Sequence, residues 1–262
     1  MERTVSAADP ALTAPETGAS VWDGMPRQRT AWPARVPPAR AASAPAWKIR
    51  ARPWLPLPTP GGTPFTFGYA AVLVVTSLIA QYAAPSLVHT LYQDSSTDVA
   101  HLMHTPVLVL FASALWIAGG LTSSYALLFL LVLTVLERRI GGRRTAVVFL
   151  LGHVLATLAT EIPVGLSVLA GDLPHSSLHR LDYGISYGVA ASLGALTGLL
   201  RPWLRWTVLI VFGGILLQDL TEFTDPLSDW GHLLALATGI VTWPLVRRWQ
   251  RAGAQVPAAS ER

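Results

Sequence analysis

The sequence predicts an all-α protein: a polytopic membrane helix bundle with six transmembrane helices. Of its 262 residues, 52% are hydrophobic and only 13% are charged, whereas soluble domains carry about a quarter charged residues. Long charge-free apolar runs recur along the chain, and arginines collect in short clusters between them. This combination excludes an ordinary soluble domain and indicates a chain that crosses the bilayer several times.

Six apolar segments are predicted to span the membrane, because each is long enough or nearly long enough to cross the hydrocarbon core. They are residues 65–84, 121–136, 145–169, 183–200, 203–220 and 230–246. A further apolar piece, residues 105–118, is too short to cross and is predicted to be re-entrant or interfacial.

The distribution of charge predicts the orientation of these spans. With the N-terminus inside, 18 of the 19 basic residues fall in cytoplasmic segments and only Arg180 lies outside. The outer loops hold most of the acidic residues. Because cytoplasmic loops collect Lys and Arg, we expect a multi-pass plasma-membrane protein with both termini in the cytoplasm.

Composition divides the chain into three parts. Residues 1–63 contain 11 of the 20 prolines and show no helical or strand period, so this Pro/Ala/Arg-rich segment is predicted to be a disordered cytoplasmic tail. Residues 64–248 form the predicted transmembrane domain. Residues 249–262 are predicted to be a disordered cytoplasmic C-terminus.

Several ligand classes receive no support from the sequence. The absence of cysteine excludes disulfides, thiolate metal sites and cysteine nucleophiles. Since the arginines sit in short clusters between apolar runs rather than along one face, we expect no nucleic-acid partner. No organic cofactor and no metal is expected, because His101 and His104 lack a third ligand. The expected partners are the lipid bilayer and transmembrane helices of other proteins.

Ionisable residues inside predicted spans are candidate functional groups, because they are costly in lipid unless they face the protein interior or water. His153 lies near mid-depth in the third span, and Thr157, Thr160 and Glu161 follow at roughly helical spacing. A polar stripe of this kind bonds neighbouring helices, and the alternative is a proton or substrate path.

Ser186 and His232 are predicted to lie at one depth on two different spans. Ser186 is about one helical turn below the outer end of the fourth span, and His232 follows Asp229 at the outer start of the sixth. Small residues on both spans permit close helix approach. An imidazole that accepts the hydroxyl proton makes a serine nucleophilic, so this pair is a candidate catalytic dyad. The alternative is that both groups serve only helix packing.

These residues carry a resemblance to a known family. The chain resembles the rhomboid intramembrane serine proteases, and in particular the divergent rhomboid-like membrane proteins of actinobacteria, over about residues 65–248. The matching motifs are the E-R-R-I-G run at 137–141, the G-I-S run at 184–186, and Gly231-His232 with Ala235 and Gly239. The resemblance implies a rhomboid-like bundle with a membrane-embedded first outer loop at 105–118, a nucleophile at Ser186 and a general base at His232.

Departures from the family pattern leave the activity open. Active members usually carry a His and an Asn near the start of the second core span that help to bind the oxyanion. Here that region holds Ser124 and Tyr125, the chain has no Asn, and Tyr187 replaces the Gly that usually follows the nucleophile.

Three functions remain in view. The first is an intramembrane serine endopeptidase with a degraded oxyanion site. The second is a non-catalytic relative that binds transmembrane helices. The third is a small-solute transporter or membrane scaffold that uses His153 and Glu161, although no inverted repeat supports transport.

Overall fold

The computed structural model describes residues 57–254, and every regular element in this range is helical. The ten α-helices are α1 (Pro64–Tyr82), α2 (Pro85–Asp94), α3 (Val99–His104), α4 (Pro106–Ser113), α5 (Ser124–Ile140), α6 (Gly142–Ala170), α7 (Ser186–Thr197), α8 (Pro202–Glu222), α9 (Pro226–Val241) and α10 (Trp243–Ala254). Single 3₁₀ turns at Gly120–Thr122 and His175–His179 precede α5 and α7.

Each predicted span contains a helix, but six membrane crossings are not established. Within the described range, three helices are long and apolar enough to cross a bilayer: α1, α6 and α8. The short piece at 105–118 contains α4, which has only eight residues. The protein is therefore a helical membrane protein. Helices α5, α7 and α9, with 17, 12 and 16 residues, are shorter than the roughly 20 residues that a bilayer-spanning helix needs.

The fourth predicted span differs most from the observed helix. The sequence predicts residues 183–200, whereas α7 has 12 residues and is about 18 Å long, well short of the hydrocarbon thickness of about 30 Å. The helix begins late because Gly184 has a φ of +131°, which interrupts helical geometry. The sixth predicted span also divides, because α9 ends at Val241 and α10 begins at Trp243.

The predicted terminal segments lie mostly outside the described residues. Residues 1–56 and 255–262 are outside this range. At the C-terminal boundary, α10 continues to Ala254, so the helix covers residues 249–254 of the segment predicted to be disordered. At the N-terminal boundary, Thr63 packs against the turn at Thr59 through backbone and side-chain hydrogen bonds.

Helix starts and stops follow the local sequence. Five helices, α1, α2, α4, α8 and α9, begin with proline, whose fixed φ suits the first helical position and whose missing N–H is not needed there. Gly141, with a φ of +89°, is the single residue between α5 and α6. This glycine ends one helix and lets the next begin at once.

Helix α7 is the centre of the bundle. Every residue from Tyr187 to Thr197 is buried, and the helix packs most extensively against α9, then α6 and α5. Small side chains make this possible. A Cβ at Gly194 would lie 2.5 Å from the Leu236 carbonyl oxygen, and one at Gly239 would lie 2.8 Å from the Ala195 nitrogen. The α7 and α9 backbones therefore meet at van der Waals distance.

Glu137 joins α5 to the start of α1. Its side chain is 3% exposed, and its two carboxylate oxygens accept hydrogen bonds from the Phe65 N–H (2.9 Å), the Thr66 N–H (2.7 Å) and the Thr66 hydroxyl (2.6 Å). A carboxylate at a helix N-terminus satisfies free N–H groups and complements the helix dipole. The first residue of the E-R-R-I-G run thus caps a neighbouring helix.

Candidate functional site

The loop before α7 places Ser186. The Gly184 N–H donates to the Ser113 carbonyl (3.0 Å), and the Ile185 N–H donates to the Trp116 carbonyl (3.1 Å). This non-helical backbone is buried against the segment after α4, which satisfies its polar groups. Ser186 is consequently the first residue of α7 and is half-buried.

Ser186 lines a small polar cavity together with His153 and Thr157 of α6. The centre of a water molecule can occupy about 10 Å³ of this cavity, close to the smallest space that holds one water. His153 and Thr157 are each 1% exposed, and His153 Nδ1 and Thr157 Oγ1 have no hydrogen-bond partner among the described groups. Two unpartnered polar atoms on residues that line the cavity match the two to four polar partners that a buried water needs.

The tautomer of His153 follows from its other ring nitrogen. Nε2 lies 3.1 Å from the Leu110 carbonyl oxygen and 3.0 Å from Ser113 Oγ. A carbonyl oxygen only accepts, so Nε2 carries the hydrogen when the imidazole is neutral. Nδ1 is then a hydrogen-bond acceptor. At His153 the predicted polar stripe therefore bonds α6 to α4, as expected for a stripe that joins helices.

His232 lies in aromatic surroundings. Its ring stacks on Tyr125 of α5 (centroids 5.2 Å apart, planes at 17°) and meets Tyr187 of α7 edge to face (5.1 Å, 68°). Tyr187 also packs directly over Gly231, where a Cβ would lie 2.5 Å from the tyrosine hydroxyl oxygen. His232 Nε2 is buried and has no described hydrogen-bond partner.

The structure brings the helices of the predicted dyad together but surrounds the two side chains differently. α7 and α9 are in close contact, yet within residues 57–254 no hydrogen bond joins Ser186 to His232, and the residue of α7 that contacts the imidazole is Tyr187. Ser186 shares its cavity with His153 instead. The sequence marks Tyr187 as an unusual neighbour of the serine, but the contact of its ring with His232 was not predicted.

A charged cluster joins α6, the loop before α7 and the start of α9. The Arg180 guanidinium contacts the carboxylates of Glu161 (2.8 Å), Asp225 (3.3 Å) and Asp182 (3.7 Å). Glu161 is 1% exposed. Burial raises the pKa of the Asp182 carboxyl, and the nearby Arg180 opposes this change. Arg180 thus ties the loop before α7 to α6 and to the start of α9.

We expect Arg180→Gln to lower the free energy of unfolding by about 2–3 kcal/mol, because a buried Glu161 would lose its ionic partner. This expected loss of stability is smaller than for a fully buried ion pair, because the Arg180 side chain is 25% exposed. Equilibrium unfolding in mixed micelles measures the change. Arg201→Gln is the matched control, since Arg201 is exposed, and an equal loss in both variants would contradict the assignment.

The two histidines of α3, His101 and His104, are in a simpler setting. His101 Nδ1 lies 2.9 Å from both carboxylate oxygens of Asp98. This pairing with a nearby carboxylate was not predicted from the sequence. Across residues 57–254, no group of three His, Asp or Glu side chains converges as a set of metal ligands. His101 and Asp98 form a local pair at the start of α3.

Comparison with known families agrees with this architecture. The apolar helices and the buried polar groups define a polytopic helical membrane protein. A family model described as "Rhomboid-like protein" matches residues 61–252, which covers most of the chain, and the protein belongs to this rhomboid-like family. No curated protein and no solved structure matches the chain.

Proposed function

We propose that this rhomboid-like membrane protein is a non-catalytic member of its family that binds transmembrane helices. The observation that carries the proposal is the packing of His232 between Tyr125 and Tyr187. A general base must lie within hydrogen-bond reach of the proton that it removes. Here two tyrosine rings pack on the imidazole, no hydrogen bond among the described residues joins it to Ser186, and Ser186 lines a cavity with His153 and not with His232.

The region of the oxyanion donors supports the same proposal. The resemblance places side-chain donors near the start of the second core span, and the residue there, Tyr125, is stacked on His232. Removal of one oxyanion donor from a serine hydrolase costs about 10²–10³ in rate. A chain without the usual His and Asn would need backbone groups or Ser124 to hold the developing charge.

Helix α8 offers a surface for a partner helix. Leu216 is its only buried residue, and Ile210 and Gly214, four residues apart, are both exposed. A Cβ at Gly214 would meet nothing within 4 Å, so the surface at this glycine is open to a partner. Small residues on a membrane helix let a second helix approach closely enough for dispersion contacts.

We expect Gly214→Leu to weaken helix binding several-fold while the fold is retained, because the new side chain projects into open space where it blocks a partner without displacing the protein's own atoms. Energy transfer between the labelled protein and a synthetic transmembrane peptide with a Gly-x-x-x-Gly motif, in nanodiscs, measures the affinity. Gly68→Leu on α1 is the matched control, since this exposed glycine also has nothing within 4 Å of a Cβ. Equal affinities in both variants would remove α8 as the binding surface.

A second candidate is an intramembrane serine endopeptidase with Ser186 as nucleophile and His232 as base. It is favoured by the unpartnered Nε2 of His232 and by the position of Ser186 next to Tyr187, the residue that contacts the imidazole. In this reading a rotation of the Tyr187 side chain admits the serine hydroxyl to His232. His153, which lines the same cavity as Ser186, offers its unpartnered Nδ1 as an alternative proton acceptor for this serine.

We expect wild-type protein in native membranes not to react with a fluorophosphonate probe, which reports an activated hydroxyl. Labelling would instead support the endopeptidase, provided that Ser186→Ala abolishes it and Ser192→Ala does not. Ser192 is a suitable control because its hydroxyl already donates to the Gly188 carbonyl (2.7 Å). Loss of labelling in His232→Ala, but not in His153→Ala, would identify the base.

The transporter alternative has less support. His153 Nε2 is bonded to α4 and Glu161 Oε1 to Arg180, so each of these two side chains has a structural role through one of its polar atoms. We place the protein in the plasma membrane with both termini in the cytoplasm, on the grounds of the charge distribution alone.

A further inference from the structure

One end of the bundle is strongly basic. Nine arginines lie in three short segments, 138–144, 201–205 and 247–251, which are far apart in sequence. Hydrogen bonds bring the segments together: Arg139 donates to the Leu199 carbonyl (2.6 Å), Arg144 to the Trp249 carbonyl (3.0 Å) and Arg247 to the Gly198 carbonyl (2.9 Å). We call this surface the basic end.

The basic end has no balancing carboxylates among residues 57–254. The three segments contain no acidic residue, and the carboxylate of Glu137, which immediately precedes the first segment, is occupied by the start of α1. The guanidiniums of Arg139, Arg144, Arg205 and Arg247 bond to backbone carbonyls. Such bonds satisfy the ends of helices but leave the positive charge uncompensated.

Four further arginines of the basic end are exposed: Arg143, Arg201, Arg248 and Arg251. Within the described part of the chain, no hydrogen bond or ion pair engages their side chains. They lie at the start of α6, before α8 and on α10, so they surround the end of the bundle. Each presents a planar fork of N–H donors that fits phosphate oxygens in pairs.

Tryptophans place these arginines at the edge of the bilayer. Trp203 and Trp206, at the start of α8, are 66% and 57% exposed. Trp243 and Trp249 lie on α10, with guanidiniums within 4.9–5.8 Å of their ring centroids. Exposed tryptophans of membrane proteins concentrate at the level of the lipid headgroups. The free arginines beside them are therefore level with the phosphates.

We propose that the basic end binds the headgroups of anionic phospholipids, with Arg143, Arg201, Arg248 and Arg251 as the ligands of the phosphates. Charge complementarity selects this occupant, since a zwitterionic lipid presents a positive group beside each phosphate. The tryptophan rings hold the adjoining apolar surface in the acyl region. Each arginine near an anionic leaflet is expected to strengthen binding about fivefold.

The test uses the full-length protein in phosphatidylcholine bilayers that contain brominated phosphatidylglycerol or brominated phosphatidylcholine. Quenching of tryptophan fluorescence gives the relative binding constant of the two lipids. We expect the wild type to prefer phosphatidylglycerol, and the quadruple Arg→Gln variant at the four positions to lose about tenfold or more of this preference. The quadruple Arg→Lys variant retains charge and is expected to keep most of it.

Three results would overturn the proposal: no lipid preference in the wild type, an unchanged preference in the Arg→Gln variant, or displacement of the lipid by millimolar inorganic phosphate, which would indicate a site for free anions. If the quadruple variant does not fold, the double variant Arg248→Gln/Arg251→Gln on α10 replaces it. The preference should also fall as salt rises, because exposed charges are screened.

Discussion

Gly239→Val is expected to lower the free energy of unfolding by about 3 kcal/mol or more, at or above the upper end of the usual cost of overpacking. A Cβ at this position would collide with the Ala191 carbonyl oxygen and lie 2.8 Å from the Ala195 nitrogen. Both are backbone atoms, so no side-chain rotation relieves the clash. The α7 and α9 helices would have to separate.

Thermal unfolding of the purified protein in micelles measures this loss. Gly214→Val is the matched control, because the same residue is introduced at an open position of α8 where it should cost little. The separation of α7 from α9 would also move Tyr187 away from His232, which a change in tyrosine fluorescence can report. Equal stability of the two variants would show that the helices are not in backbone contact.

Glu137→Ala is expected to lower the free energy of unfolding by about 3–5 kcal/mol. The variant removes a buried carboxylate that accepts three hydrogen bonds and leaves the N–H groups of Phe65 and Thr66 without their acceptor. Hydrogen bonds to charged groups contribute about 1.5–3 kcal/mol each, and unpaired buried donors add a desolvation cost. The effect should therefore concentrate at the start of α1.

Thr66→Val is a milder variant of the same contact and serves as the comparison for Glu137→Ala. It removes only the hydroxyl bond and keeps both backbone donors paired, so we expect a loss of about 1–2 kcal/mol. Unfolding in mixed micelles compares the two variants, and amide exchange at Phe65 and Thr66 locates the effect. If Glu137→Ala is no less stable than Thr66→Val, the carboxylate does not cap α1.

Hydropathy predicts much of the fold and only part of the site. The apolar runs at 65–84, 145–169 and 203–220 correspond to α1, α6 and α8, because length and composition alone identify such helices. The start of α7 could not be predicted, since it depends on the loop at Gly184 pairing with carbonyls of Ser113 and Trp116. That contact joins residues far apart in the sequence.

The surroundings of Ser186 and His232 show a second limit. Spacing along a helix gives depth, because each residue rises about 1.5 Å. It does not give the rotation of one helix against another, and Ser186 and Tyr187 point about 100° apart around α7. In the folded bundle Gly188 packs against Phe149, and Tyr187 packs against Gly231. This rotation of α7 turns Tyr187 toward the imidazole of His232.

Helix α8 also differs from its neighbours in how freely it can move. Only Leu216 is buried, whereas α7 is buried along almost its whole length. Elements with few buried contacts open at low free energy, often without the rest of the structure. α8 can therefore move as a unit more freely than the other long helices, and its tilt can adapt to membranes of different thickness while the α5, α6, α7 and α9 core keeps its packing.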